Sequence, residues 1–372
     1  MKIIVTGDFC PRERVAKDLA LGDYSAIEAL QPVFAETDYS IVNLECPIVR
    51  GGEKPIIKNG PNLSADTRAL EALKSVGTKC VTLANNHFRD FGDEGVLNTL
   101  SELSTYGIDY VGGGANITDA SAVLYKKIGK ETLAIINCCE QEFSIATSDH
   151  SGSNPLNPIR QYYAIQEAKQ KADYVMVIVH GGVEHYQLPT PRMQETYRFF
   201  IDAGADVVIN HHQHCYSGYE VYNAKPIFYG LGNLCFDNPD KRSCPWNEGT
   251  MVELDLSKSK IDFRLIPYHQ CDAEAKVVLL NDEERMCFEK QIDDLNAIIA
   301  NHTELQAHYQ KLLQGTRRRY QFYLEPYNSR ITRFLFRKHL LPSIMYRKYS
   351  IIYNMINCES HRERLLEAIK SK

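Results

Sequence analysis

Five apolar runs in this chain each end in a side chain that can coordinate a cation or move a proton. KIIVTG runs into Asp8, YSIVNL into Glu45, and KCVTLAN into Asn86 and His87. YVMVIV runs into His180, and ADVVIN into His211, His212, Gln213 and His214. Carboxylate, amide and imidazole together suit a hard or borderline divalent ion. Two such ions about 3.5–4 Å apart can clamp both oxygens of an in-line displacement at phosphorus. A His outside the ligand set can then protonate the leaving group. The same cluster without an ion is equipped for general acid–base transfer, so both chemistries stay open on residue types alone.

Singly, each signal has a plainer reading. Asp8 can cap a turn, Asn85-Asn86-His87 can be turn chemistry, and His180 can be a core histidine. The HHQH run is the hardest to dismiss, because four polar residues directly after a buried strand are costly to bury without partners. Cys10 reads by default as a small buried hydrophobe, with a thiolate ligand or nucleophile as the alternative. Gly112-Gly113-Gly114 lacks nucleotide-binding spacing and reads as a loop that needs free backbone geometry.

The elements that must position these residues alternate. Strands are expected over Lys2–Thr6, Tyr39–Leu44, Lys79–Ala84, Thr132–Asn137, Tyr174–Val179 and Asp206–Ile209. Helices are expected over Ser64–Val76, Asp93–Tyr106, Pro158–Ala172 and Thr190–Ala203. Ser64 and Asp93 serve as candidate N-caps, and Gly77, Gly107 and Gly204 sit where a closing glycine belongs. This is an α/β pattern with buried, largely parallel strands, whose carboxyl ends form the ligand-binding face. EVYNAKPIFYGL and TMVELDLSKSKIDFRLI read as hairpins that finish the sheet with antiparallel strands. Two regions are expected, 1–270 carrying the chemistry and 271–372 a helical, basic appendage. Between Lys311 and Lys348 that appendage holds ten basic residues against one acid, Glu325.

The apolar fraction of 44% and charged fraction of 24% are those of an ordinary globular protein. A net charge of -5 sets nucleic acid aside as the main partner. No apolar run approaches the ~20 residues that span a bilayer. The N-terminal run is also shorter than the roughly 7–15 apolar residues of a secretory segment, so a cytoplasmic location is expected. The eleven cysteines are scattered without a CxxC pair, which reads as reduced thiols. The basic tail can draw the protein to anionic headgroups or to a polyanionic polymer, giving a membrane-peripheral contact.

The runs GDF, NLECPI, LANNHFRDFGDEG, HGGVEHY, NHHQH and YGLGNLCFD together resemble the CapA family over roughly residues 1–270. Members of that family are associated with poly-γ-glutamate and other capsular polymers, and are related to the calcineurin-like metallophosphoesterases. The resemblance implies a four-layer metallophosphoesterase-like α/β fold, two mixed sheets packed together with flanking helices. It implies Asp8 and His214 on one metal, Asn86, His180 and His212 on the other, and Glu45 as the bridge. His87 would be the general acid, with Asp90, Glu184 and Asn233 beside the site. The implied cofactor is one or two divalent ions, Mn2+, Fe2+ or Zn2+. The implied activity is phosphoesterase-like hydrolysis of a phosphorylated or polymeric anionic substrate in capsule or polysaccharide biosynthesis. Three departures stand out: Cys10 where the superfamily places a His, Glu45 where it places an Asp, and His211 where the GHxH motif opens with Gly. Two alternatives stay in play, the first because of the Cys10 departure and the second because of the basic tail. One is a metal-independent acid/base enzyme, of epimerase or amide-bond type, using His87, Glu45 and His180. The other is a non-enzymatic factor that docks polymer or membrane through the tail.

Overall fold

The computed structural model describes residues 1–257 and 260–370. Its strands in chain order are β1 (Lys2–Phe9), β2 (Tyr39–Leu44), β3 (Cys80–Thr82), β4 (Asp109–Val111), β5 (Leu124–Ile128), β6 (Glu131–Cys139) and β7 (Tyr174–His180). There follow β8 (Val207–His211), β9 (Tyr219–Tyr222), β10 (Lys225–Phe228), β11 (Asn233–Cys235), β12 (Glu248–Ser257), β13 (Lys260–Gln270) and β14 (Val277–Leu279). One eight-stranded sheet has the order β14-β13-β12-β1-β2-β3-β4, with β11 also paired to β1. The second sheet has six strands in the order β9-β10-β8-β7-β6-β5. The six-stranded sheet is parallel at its centre and antiparallel at both margins, whereas the eight-stranded sheet is parallel from β1 to β4 and antiparallel from β1 through β12 and β13 to β14, so both are mixed.

The main helices of this part are α1 (Glu13–Ala20), α2 (Arg68–Ser75), α3 (Gly92–Tyr106), α4 (Pro158–Lys171), α5 (Pro191–Asp202) and α6 (Asp282–Ala300). Successive side chains of a strand point to opposite faces. In β1, Ile3 and Val5 therefore meet Met176, Ile178 and Ile209 of the other sheet, while Ile4 faces Val15, Leu70 and Leu103 of the helices. In β7, Val175, Val177 and Val179 face Ile165, Tyr197 and Phe200. The result is four layers, helix–sheet–sheet–helix, with three apolar cores between them. Burial on both faces is why the strands read as continuous apolar runs.

Two local features aim the strand ends. Gly7 sits where β1 shifts register against its neighbours, a bulge that redirects Asp8. A Cβ at Gly7 would lie 2.0 Å from the Gly232 carbonyl oxygen, and Asp8 N donates to that same oxygen at 3.0 Å. His211 stitches the sheets together, its Nε2–H donating to the Thr6 carbonyl at 2.8 Å.

Several boundaries differ from expectation. Neither Ser64 nor Asp93 caps a helix: α2 starts after Thr67 and α3 after Phe91. Asp93 Oδ1 instead accepts from Ser151 N and Oγ at 3.0 and 2.8 Å, tying the first turn of α3 to a distant loop. Thr190 does cap α5, accepting from Met193 N at 3.2 Å. Both hairpins form, the first turning through Asn223 and Ala224 at positive φ, as a tight two-residue turn requires. The tip of the second, Lys258 and Ser259, lies outside the described residues.

Composition places a division near residue 270, whereas the compact units are Met1–Leu305 and Gln306–Lys372. The apolar stripe of α6 explains the later division, because Phe288 and Ile292 pack on Tyr216 and Ile299 joins the core beneath α5. The second unit is helical, containing most of α7 (His302–Tyr323) with α8 (Arg330–Arg337), α9 (Tyr349–Asn357) and α10 (Glu359–Lys370). Among the described residues no helix is long and apolar enough to cross a membrane.

Replacing Gly7 by Ala drives a methyl into backbone and is expected to cost about 3 kcal/mol. Thermal unfolding of Gly7→Ala beside wild type checks this; an unchanged midpoint would refute the assigned role of the bulge.

Candidate metal centre

The carboxyl ends of β1, β2, β7 and β8, with the loop after β3, meet at one point. Asp8, Glu45, Asn86, His180, His212 and His214 are all buried there. Two groups have ligand atoms within 4.8 Å of one another: Glu45, His180 and His212, and Asp8, Glu45 and His214. Glu45 belongs to both. Its Oε1 lies 3.4 Å from His180 Nε2 and its Oε2 lies 3.8 Å from His214 Nδ1. Asn86 Oδ1 stands 3.0 Å from His180 Nε2, which is also 3.1 Å from His212 Nδ1.

Backbone strain accompanies this convergence. His185, His212 and His214 hold φ of 61°, 90° and 56°, a region that bulky side chains enter at a cost. The strain lets closely spaced histidines turn their rings inward. Asn233 Oδ1 then fixes His214 Nδ1 at 2.9 Å, and the Trp246 ring packs 4.6 Å from the His214 ring.

The electrostatics of the protein alone are unfavourable to charge. Burial, reinforced by the charge of Glu45, raises the Asp8 carboxyl well above its usual range. Burial likewise pushes Glu45 up to about 7. Burial, with neighbouring imidazoles adding repulsion, pulls His180 and His212 well below the usual imidazole range. A buried site with no counter-ion sheds charge in this way. Both Glu45 oxygens are buried and, among the described residues, without a hydrogen-bond donor. His180 Nε2 faces two acceptor oxygens, Glu45 Oε1 and Asn86 Oδ1, as well as His212 Nδ1, and one imidazole proton cannot serve both oxygens. A divalent cation would satisfy all of these lone pairs together, so the donor set fits one.

Beside this centre is a second cluster. His87 Nδ1 is 2.7 Å from Asp90 Oδ2, and Lys58 Nζ forms an ion pair with Asp90 Oδ1 while lying 3.1 Å from His87 Nδ1. A carboxylate only accepts, so the contact with Asp90 Oδ2 puts a proton on His87 Nδ1; the Lys58 ammonium, which only donates, then serves Asp90 rather than that nitrogen, and Nε2 is left for other partners. Leu63 N also donates to Asp90 Oδ2 at 2.7 Å. Glu142 and Glu184 stand exposed at the rim, near the histidines. Glu142 Oε1 lies 3.9 Å from His212 Nε2, and burial raises its carboxyl. At Glu184 burial acts upward too, but the charges of His214, His212 and His185 outweigh it and hold the carboxyl low.

Three neighbours are absent from the strand-end pattern. Asn43, inside β2, donates to Asp8 Oδ1 at 2.7 Å, accepts from Thr82 Oγ1 at 2.9 Å and lies 3.3 Å from His180 Nδ1. An Asn inside an otherwise apolar strand is the signal that could have found it. Lys58 and Glu142 lie in polar loops and carry no such signal.

The sequence pattern of the bacterial capsule synthesis protein family PGA_cap matches residues 2–238, a stretch holding every one of these ligands. The chain belongs to that family. Similar proteins include the capsule biosynthesis protein CapA of Bacillus anthracis, 33% identical over 216 residues, which are 56% of this chain and 53% of the relative. The PGA biosynthesis protein CapA of Bacillus subtilis (strain 168) is 31% identical over 241 residues, 64% and 63% of the two chains. The chain thus spans between half and two-thirds of these relatives. Among solved structures, a novel phosphatase of Mycoplasma pneumoniae has a TM-score of 0.46 at 16% identity, covering 73% of this chain and 95% of that one. The 5'-nucleotidase precursor of Thermus thermophilus has a TM-score of 0.41 at 13% identity, covering 81% and 59%.

In this PGA_cap protein Cys10 is buried, and burial together with the Cys46 thiol beside it holds its own thiol well above the usual range. It remains protonated and stands outside both ligand groups. His211, another of the departures, is the inter-sheet stitch described above.

Ligands must be deprotonated to bind, so cation entry displaces protons. Because Glu45 titrates near 7 in the cation-free protein, affinity for Mn2+ or Zn2+ is expected to weaken as pH falls below about 7. Calorimetry in buffers of different ionisation enthalpy reads the protons released. In His212→Ala, elemental analysis is expected to show stoichiometric metal lost; retention at the wild-type level would refute the ligand set.

Proposed function

We propose that this protein acts in the synthesis of a bacterial capsule polymer of the poly-γ-glutamate type, as a divalent-metal-dependent, phosphoesterase-like hydrolase. The observation that carries the proposal is a pair of buried ligand groups sharing Glu45, whose two oxygens have, among the described residues, no donor of their own. Asp8 and His214 would hold one ion, Asn86, His180 and His212 the other, and Glu45 both. Mn2+, Fe2+ and Zn2+ all suit this mixture of carboxylate, amide and imidazole. Such an ion supplies Lewis acidity toward a phosphoryl or carbonyl oxygen and a nucleophile at neutral pH.

The remaining steps belong to side chains. His87, held at Nδ1 by Asp90, would give the leaving oxygen the Nε2 proton of its imidazolium form and would be left as the neutral Nδ1–H tautomer on the Asp90 carboxylate. Asp90 is fixed in turn by Lys58 and by Leu63 N, so the ring has one orientation. The buried ammonium of Lys58 keeps that corner positive, which favours a phosphorylated or polymeric anionic substrate. Glu184 and Glu142 flank the histidines and add negative charge at the rim of the site. The burial of the whole cluster excludes bulk water, which strengthens each of these contacts. Within this reading the protein works at the cytoplasmic side, with its basic second unit in peripheral contact with an anionic membrane.

A second reading rests on Cys10. With a protonated thiol where a His would complete the first ligand group, the set can also serve as a metal-free acid/base pair of epimerase or amide-bond type.

The test uses protein loaded with Mn2+ against a phosphomonoester, a phosphodiester and poly-γ-glutamate. His87→Asn is expected to lower kcat by roughly 100- to 10,000-fold, the usual span for losing a general acid, with bound metal unchanged. Activity that survives complete chelation would favour the metal-free reading. Turnover of none of these substrates by the loaded wild type would defeat the hydrolase.

A further inference from the structure

The second compact unit carries a charge that nothing in the first explains. Residues 306–372 hold 14 Lys and Arg against 4 Asp and Glu, a net +10, while residues 1–305 hold 28 against 43, a net -15. The family match ends at residue 238, well before this unit. The one acid between Lys311 and Lys348 does not offset the positive surface, because Glu325 is buried. It accepts from Ile344 N at 2.8 Å, Met345 N at 3.0 Å and the Tyr349 hydroxyl at 2.8 Å, so its charge is consumed inside the unit.

Helix α8 divides its faces sharply. Phe336 points inward, its ring 5.9 Å from Phe322 and 5.8 Å from Tyr327. On the outer side Arg330, Arg333 and Arg337 follow a three- and four-residue spacing that puts them on one stripe. With Phe334 and Lys338 they line an open cleft of about 430 Å³. Among the described residues none of these four cations makes an ion pair with a carboxylate.

Helix α9 poses the opposite problem. Its sequence, YSIIYNMIN, has no charged residue, and none of its side chains is buried. Ile351 is 55% exposed and Tyr353 68%, and Arg347 and Lys348 stand immediately before the helix. Nine residues rise only about 14 Å, too short to span a bilayer but suited to lie along its surface.

These two features together choose the partner. A hydrophilic polyanion would neutralise the arginines and leave α9 in water. A second copy of the unit could cover α9 but would bring +10 against +10. A bilayer bearing anionic headgroups meets both needs at once. We propose that residues 306–372 form a membrane-docking unit in which the α8 cleft takes the phosphates of anionic phospholipids and α9 lays its uncharged side chains at the acyl boundary. This rests on the peripheral membrane contact suggested above and supplies its chemistry and its residues.

The experiment is co-sedimentation of the full chain with vesicles of phosphatidylcholine, alone or with about one-third phosphatidylglycerol. Binding is expected only to the anionic vesicles, weakening as salt is raised. Arg330→Gln/Arg333→Gln/Arg337→Gln is expected to lower partitioning roughly 100-fold, and Ile351→Ser/Ile356→Ser by about tenfold, with circular dichroism and metal content as in wild type. All five side chains are exposed, and because Arg333 also lies 5.3 Å over the Phe322 ring, a double variant Arg330→Gln/Arg337→Gln that keeps this contact is expected to lose most of the same partitioning. Equal binding to neutral and anionic vesicles, or wild-type partitioning by both variants, would overturn the proposal. So would displacement from vesicles by inorganic phosphate at constant ionic strength, which would assign the cleft to free phosphate. Capture by poly-γ-glutamate that is insensitive to the Ile351/Ile356 pair would assign the unit to the polymer instead. Hydrolysis is measured without vesicles, so failure of docking and failure of the hydrolase are separate results.

Discussion

Two carboxylates and three imidazoles buried within a few ångströms of one another constrain everything else in the first unit. Desolvation makes such a cluster costly, and burial accordingly drives its members toward their neutral forms, raising the carboxyls of Asp8 and Glu45 and lowering the imidazoles of His180 and His212. The surrounding fold has to be stiff enough to hold those groups together against their own solvation. Two fully buried parallel sheet centres provide that stiffness: Asp8 and His180 lie at the last residues of β1 and β7, Glu45 and His212 directly follow β2 and β8, and Asn86 and His214 lie in the loops beyond β3 and β8.

The means of holding are specific. The Gly7 bulge turns Asp8 toward the centre and brings the Gly232 carbonyl against β1, which no other residue would permit. His211 ties the Thr6 carbonyl of one sheet to the end of β8 in the other, so the two halves of the ligand set cannot slide apart without losing a buried hydrogen bond. Asn43 supports Asp8 from within β2 and is itself oriented by Thr82 of β3. A ring of neutral hydrogen bonds thus surrounds the groups that change charge. The Lys58–Asp90–His87 chain is the exception, a buried ionic contact whose effect is to fix which nitrogen of His87 faces the centre.

The two units use charge in opposite ways. The first concentrates ionisable groups in its interior, where low dielectric makes their coupling strong. The second disperses cations over its surface and buries its one central acid, Glu325, under backbone donors. Screening by salt therefore acts on the cations of the second unit and hardly on the buried cluster of the first.

Much of the first unit was legible in the chain. Periodicity of two and continuous apolar runs mark the buried strands, and a parallel strand must deliver its last residue to the carboxyl edge, so the identities of Asp8, Glu45, Asn86, His180, His212 and His214 as strand-end neighbours follow from local pattern alone. What the sequence could not decide was anything that depends on contact between segments distant in the chain. That includes Asn43 as a support, Lys58 as the partner of Asp90, Cys10 as a buried thiol outside both ligand groups, and α6 as part of the first unit rather than the tail. Caps were misread for the same reason, because Asp93 has a long-range partner in Ser151 that outcompetes the local one. Spacing along a chain fixes which face a side chain takes; only folding fixes what waits on the other side of it.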